Sequence, residues 1–173
     1  FYLIQVPIML ILALVLASLL NSSTLKLKGI FRTAIFLPCI MATVSYSMIF
    51  RTLFSKAGVI NSFLTNLGII DAPIAWLESA WIARIVIIIA MTWRWTGYNT
   101  IFYLAGLQNI DDTIYEAARI DGANIFQQFR KITIPMLRPI ILLTTITSIN
   151  GTLQLFAETQ NITSGGPGNA TIT

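Results

Sequence analysis

Four apolar stretches constrain this chain more than any other feature, because each is about 20 residues long, the length of helix that crosses the hydrocarbon core of a bilayer. The first runs from Phe1 to Leu20 and the second from about Ala34 to Leu53. The third follows Arg84 and runs through Leu104 to Leu107, and the fourth extends from about Ile134 to Ala157. Backbone N–H and C=O groups in lipid must be satisfied within the chain, so each stretch is expected to be a helix. The predicted fold class is all-α, a polytopic membrane helical bundle with four transmembrane helices. Residues 1–173 are read as one such domain, and no internal repeat points to another.

Composition and charge narrow the function classes. Charged residues make up 10% of the chain and hydrophobic residues 55%, against about 25% charged in a soluble domain. The formal charge of +4 is scattered between apolar stretches, with no basic stripe of the kind that binds nucleic acid. Lys26, Lys28 and Arg32 form a connection without acidic residues, and Arg119, Arg130, Lys131 and Arg138 cluster in another. Both therefore read as cytoplasmic. With no His and only Cys39, an intrachain disulfide, a His/Cys metal site and a His-based triad are unavailable. Cys39 reads as packing.

The second stretch contains Pro38, tolerable near the first turns of a membrane helix. It also carries Thr43, Ser47 and Arg51 at spacings of four, a stripe that suits either a cavity or helix packing through small hydroxyls. Residues 54–80, with Gly58, Asn61, Gly68, Asp71 and Pro73, read as an external loop with one interfacial helix. Trp76 and Trp81 read as interfacial anchors, with Arg84 snorkelling to the same level.

Between the third and fourth stretches lies a polar island. Asp111, Asp112, Glu116 and Asp121 fall within eleven positions. Ile114, Ala117, Ala118 and Ile120 recur near helical spacing, so residues 112–121 are expected to form a short helix capped by Asp112 and ended by Gly122. A second short helix from about Asn124 to Ile132 would segregate Ile125, Phe126, Phe129 and Ile132 from Gln127, Gln128, Arg130 and Lys131. The adjacent small side chains of Ala117 and Ala118 would let another surface approach closely. An amphipathic connector lying on the membrane surface is the competing reading.

The run Glu116-Ala117-Ala118, then Asp121-Gly122-Ala123, Phe129, Ile132-Thr133-Ile134-Pro135 and Leu137-Arg138-Pro139 resembles the EAA loop of inner-membrane permeases of binding-protein-dependent ABC importers, the carbohydrate branch in particular. Leu104-Ala105-Gly106-Leu107-Gln108 and Thr163-Ser164-Gly165-Gly166-Pro167 are similar to the same family. Weaker similarity reaches back through Gly58-Val59-Ile60-Asn61 and from Arg32 to Pro38. Asp111 departs from the pattern, standing where the family usually has proline.

The resemblance implies that residues 109–133 are a cytoplasmic coupling loop seated in a groove of an ATPase subunit, with Glu116, Ala117, Ala118, Asp121, Gly122 and Ala123 carrying that role. It implies a multi-pass chain of the bacterial cytoplasmic (inner) membrane, not itself an enzyme. Its partners would be a second permease subunit, usually a different chain, two ATPases that hold ATP and Mg, an external substrate-binding protein, and lipid. No phosphate-cradling Gly-x-x-x-x-Gly-Lys-Ser/Thr run occurs here. The family also implies about one more span on either side. The first stretch starts without Met or a basic flank, so the chain is expected to be a fragment and not to open with a signal peptide.

A substrate path is suggested by polar residues inside the apolar stretches. Arg94, between Trp93 and Trp95, would cost about 2.5–3.5 kcal/mol facing lipid. Tyr98 is one turn further on. Thr147, Asn150, Gly151, Gln154 and Glu158 recur at spacings of three and four on the fourth stretch. Trp95, Tyr98, Asn150, Gln154 and Glu158 offer the aromatic faces, amides and charge that a carbohydrate site requires. Equally, these residues can serve as interhelical glue. Two rival functions stay open: a stand-alone channel or secondary transporter with Arg94 and Glu158 on an ion path, and, more weakly supported, an intramembrane enzyme.

Overall fold

A computed structural model describes residues 2–22, 25–154, 156–167 and 171, and no strand occurs among them. The helices are α1 (Tyr2–Asn21), α2 (Lys28–Ile40), α3 (Thr43–Leu53), α4 (Val59–Asn66), α5 (Ala80–Gln108), α6 (Asp112–Ile120), α7 (Ile125–Gln128), a π-helical turn (Phe129–Thr133), α8 (Ile134–Leu153) and α9 (Ala157–Thr163). Phe1, placed at the start of the first stretch, lies outside the described residues. So do Leu155 in the predicted fourth stretch and most of the loop expected from Gly165 to Thr173.

The central element is α5. Its 29 residues span about 43 Å at 1.5 Å per residue. Val86, Ile87, Ala90 and Met91 are buried at helical spacing in its first half, packed with Tyr46, Phe50 and Phe54. Tyr103, Leu104 and Leu107 do the same in its second half, packed with Ala13, Ala17 and Leu20 of α1 and Leu137 of α8. The small side chains of Ala13 and Ala17, both fully buried, let the α1 and α5 backbones close on each other, as at helix crossings in membranes. The other side of α1 exposes Ile4, Ile8, Ile11, Val15 and Leu19, an apolar surface suited to lipid.

A polar seam runs beneath this packing. Thr144, Ser148 and Thr152 lie one turn apart on α8 and are all buried. The Thr144 hydroxyl meets Tyr103 Oη at 2.9 Å, Asn99 Nδ2 donates to Ser148 Oγ at 3.3 Å, and Thr152 Oγ1 donates to Gln5 Oε1 at 3.3 Å. The seam is a different stripe from the Thr147–Gln154 row of the sequence reading, and it binds α1, α5 and α8 together.

The structure corrects several expected elements. The second stretch is not one helix: α2 and α3 meet at a 99° bend. The break lies at Met41 and Ala42, whose backbones are extended, whereas Pro38 sits inside α2. Among the described residues, two helices are by length and composition apolar enough to cross a membrane, Leu3–Asn21 and Ile125–Leu153, or three if α2 and α3 form one broken span. α5 is long enough but diluted by Arg84, Arg94 and the Trp93–Trp95 run, and it faces largely into the bundle. The expected second short helix is also not separate, because α7 continues through the π turn into α8. Ile134 N–H bonds to Phe129 O, five residues back. Pro135 follows it. Proline has no N–H and its ring needs room against the carbonyl four residues earlier, which a widened turn provides.

In the connection between α3 and α5, α4 stands where one short helix was expected. Asn61, buried within it, donates from Nδ2 to the carbonyls of Lys56 at 3.0 Å and Ile74 at 2.8 Å. Its Oδ1 accepts from Ile74 N–H at 3.1 Å and Trp76 Nε1 at 2.8 Å. Trp76 is therefore a packed loop tie, half-buried and edge-on to Phe54. Trp81 is 74% exposed beneath the Arg84 guanidinium, 5.1 Å from its ring, as an interfacial anchor would be.

Candidate functional site

The polar island forms α6 and the corner that follows it. Asp111, not Asp112, is the N-cap: its side chain accepts from Thr113 N–H at 3.0 Å. That backbone hydrogen bond holds the Asp111 carboxyl below its ordinary range. Its backbone lies at φ −64°, ψ 129°, a conformation proline also adopts, so the departure from proline preserves the path and adds a cap. At the other end Gly122 has φ +79°. Gly122 N–H bonds to Arg119 O at 3.0 Å and Ala123 N–H to Ala118 O at 2.8 Å, the paired bonds of a glycine-closed helix end. Asn124 and Gln127 then cap α7 reciprocally at 2.8 and 2.9 Å.

The expected apolar face of α6 is largely uncovered among the described residues. No residue of α6 is buried. Glu116, Ala117, Asp121 and Gly122 are exposed, while Ala118 and Ala123 are partly covered. Ile120 and Ile125 are each 86% exposed and Phe126 69%. These three large apolar side chains flank the Gly122 corner, and the sequence reading did not include them among the coupling residues. Their signal was chemical: apolar residues beside a glycine turn in an otherwise polar connection.

The second candidate site divides in two. Arg94 and Glu158 meet as an ion pair, Nη1 to Oε1 at 3.3 Å, with side chains 20% and 12% exposed. Arg94 Nη1 also donates to Thr43 Oγ1 at 3.2 Å, and its guanidinium lies 4.8 Å from the Tyr46 ring centroid. The α2–α3 bend brings Thr43 and Tyr46 to that point. Of the Thr43–Ser47–Arg51 stripe, Ser47 is buried and Arg51 exposed, so the three do not act together. Glu158 lies on α9 and Gln154 only caps α8. The predicted five-residue row on one helix is therefore corrected, because the chain breaks after Leu153.

The remaining members stay near one another. Trp95 packs edge-on to Tyr98 at 5.5 Å, and Tyr98 against Phe102 at 4.9 Å, an aromatic row on α5 in which Phe102 was missed. Gly151 makes room for the Trp95 indole: a Cβ there would stand 3.2 Å from it. Thr147, Asn150 and Gln154 are exposed on α8, with Gln154 Nε2 donating to Asn150 Oδ1 at 3.2 Å. Aromatic faces and exposed amides thus lie on adjacent helices joined at the Trp95–Gly151 contact.

Comparison with known proteins agrees with this architecture. The family model described as binding-protein-dependent transport system inner membrane component matches residues 2–173. The chain is 57% identical over 175 aligned residues to the lactose transport system permease protein LacF of Rhizobium radiobacter, covering 100% of this chain and 59% of that protein. It is 35% identical to the arabinooligosaccharides transport system permease protein AraP of Halalkalibacterium halodurans, covering 100% of this chain and 55% of that protein. It thus spans somewhat over half the length of these relatives. Among solved structures, a chain of a bacterial alginate ABC transporter in complex with an alginate pentasaccharide-bound periplasmic protein superposes with a TM-score of 0.81 at 25% identity, over 98% of this chain and 60% of that one.

Proposed function

The chain belongs to the family of binding-protein-dependent transport system inner membrane components, and from that membership we propose that it forms the membrane core of a sugar-importing ABC permease subunit. Residues 1–173 act as one permease domain, with residues 109–133 as its cytoplasmic coupling loop. The observation that carries this reading is the exposed corner at Gly122, flanked by uncovered Ile120, Ile125 and Phe126, which runs without a break into α8. Such an apolar corner suits insertion into a groove of an ATPase subunit, with Glu116, Ala117, Ala118, Asp121, Gly122 and Ala123 at the contact.

The energy would come from ATP and Mg held by two such ATPases. A second permease subunit and an external binding protein complete the proposed complex. Transport follows alternating access: ATPase closure pushes the loop, and α5 and α8 rearrange around the solute. Trp95, Tyr98, Asn150 and Gln154 are the proposed sugar contacts, with Thr147 and Gly151 shaping the path. Aromatic faces cover sugar C–H surfaces while the amides exchange hydrogen bonds with hydroxyls. The names of the relatives favour a disaccharide or oligosaccharide. Arg94 and Glu158 are reassigned to structure, since each is engaged by the other. That pairing also weakens the stand-alone channel, which needs them on an open ion path.

The test is a single cysteine at Ala117 in a Cys39→Ala background of the full-length subunit. It should crosslink to an ATPase in native membranes, with a yield that changes on adding ATP, and the reconstituted complex should take up radiolabelled lactose only with ATP. Free reaction of that cysteine with soluble thiol reagents and capture of no partner would refute the coupling role.

A further inference from the structure

The two joints of the coupling loop are built differently. At the α5–α6 joint, Asn109, Ile110 and Asp111 carry the chain across with short backbone turns, Asn109 N–H to Gly106 O and Ile110 N–H to Leu107 O, both at 3.2 Å. The Asp111 backbone is extended there. Behind α6 lies a cavity of about 650 Å³, bounded by Ser18 and Asn21 of α1, Gln108 of α5, Glu116 and Arg119 of α6, and Gln128. The α5–α6 joint thus borders open space on this side, while Ile110 packs in the apolar cluster with Leu107 and Leu137.

The α6–α8 joint is braced. Tyr115 and Thr133 bring their hydroxyls to 2.9 Å, linking α6 to the π turn. Thr133 Oγ1 also makes a long contact of 3.5 Å to the Gln128 carbonyl oxygen, and either hydroxyl of the Tyr115–Thr133 pair can be the donor. Gln128, itself buried, donates from Nε2 to Ala123 O at 2.8 Å. Ala123 N–H closes the circuit to Ala118 O on α6 at 2.8 Å. The Tyr115 ring meanwhile packs on the apolar cluster that includes Leu137 of α8. Four hydrogen bonds thus triangulate the glycine corner against the root of α8.

We infer that Tyr115 and Thr133 are positioning residues: their hydroxyl pair keys α6 to the π turn, so that a push on the coupling loop is delivered to α8 while the Asn109–Asp111 joint yields. This rests on the coupling-loop reading above. The π turn suits the task, because such widened turns recur at functional points in helices. A Thr hydroxyl inside one can accept from outside the helix while donating within it. The driven helix is the one that carries Asn150 and Gln154, and the helix left behind is the one that carries Trp95 and Tyr98. Relative movement of the two would open or close the contact at Gly151.

The experiment uses the full-length subunit, in a Cys39→Ala background, assembled with its partners in lipid nanodiscs. Spin labels at Ile101 of α5 and Ile146 of α8, exposed by 40% and 68%, report the distance between the helices without nucleotide and with vanadate-trapped MgADP. Trapping should shift that distance in the parent protein. In Tyr115→Phe and in Thr133→Val the ratio of shifted to unshifted molecules should fall about two- to tenfold, the range expected for one hydrogen bond. The double variant should fall no further than either single one, and Thr133→Ser, which keeps the hydroxyl, should restore the shift. An unchanged ratio in Tyr115→Phe overturns the inference, and so does a parent protein whose labels do not move. The Ala117 crosslink is run in parallel: if it fails to form in the parent, the coupling reading falls and takes the key with it. If it forms while Tyr115→Phe behaves as the parent, only the key is wrong.

Discussion

Glu158→Gln is the perturbation that most directly probes how the outer half of the bundle is held. The substitution keeps the shape and an acceptor oxygen but removes the charge facing Arg94. At 3.3 Å and an effective dielectric constant near 20, the gross attraction is about 5 kcal/mol. Desolvation and the 12–20% exposure of the two side chains reduce the expected net coupling to about 1–3 kcal/mol. A double-mutant cycle isolates it. Glu158→Gln, Arg94→Gln and the pair would be unfolded in mixed detergent–SDS micelles, followed by tryptophan fluorescence. The double variant should be more stable than the sum of the single losses predicts, by that coupling energy. Additivity within about 0.5 kcal/mol would refute the claim that the pair acts as a structural latch. Unchanged stability in Glu158→Gln together with lost sugar uptake would return both residues to the substrate path.

Other consequences can be checked separately. Gly122→Ala should destabilise the corner by about 1–2 kcal/mol through its left-handed backbone alone, since a Cβ there meets nothing within 4 Å; faster amide exchange at Gly122 and Ala123 would show it. The Asp111 cap has a carboxyl held below its ordinary value of 3.8 by the Thr113 N–H, so its stabilisation is complete above that pH and is lost as pH falls through the lower folded value. Thr113 amide exchange corrected for intrinsic rate should then accelerate only in that acid range, and Asp111→Ala should abolish the transition. Asn61→Leu strands the Trp76 indole N–H and the Ile74 backbone groups, a loss of about 3 kcal/mol or more, readable as reduced stability in the same micelle unfolding assay. Gly151→Val drives side-chain atoms into the Trp95 indole, so overpacking of about 1–3 kcal/mol should accompany reduced lactose uptake, and Gly151→Ser should be milder on both counts.

The parts of the site that were legible in the sequence are those whose physics is local. Asp112 before a helical pattern and Gly122 after it mark a cap and a corner, because these residues satisfy or free the backbone within one turn. The cap still moved by one residue to Asp111. The spacing of Thr147, Asn150 and Gly151 correctly placed them along one helix, with Gln154 at its C-cap. Spacing carries no information about a break, though, and Glu158 was assigned to a helix that stops at Leu153. The buried Thr144–Ser148–Thr152 stripe was hidden for a related reason: hydroxyls one turn apart look alike whether they face lipid, cavity or a neighbouring helix.

By itself, then, the sequence determined that this chain is helical, where its long apolar elements lie and where its polar loop turns, because segment length, glycine and capping residues act over a few neighbouring positions. Only the tertiary structure decided what those elements mean to each other. It bent the second stretch by 99° between α2 and α3, joined Arg94 to Glu158 across 64 positions of chain, and set Tyr115 against Thr133. Such contacts depend on how helix faces are rotated and packed, and that is settled by the fit of whole surfaces, not by any one stretch of residues.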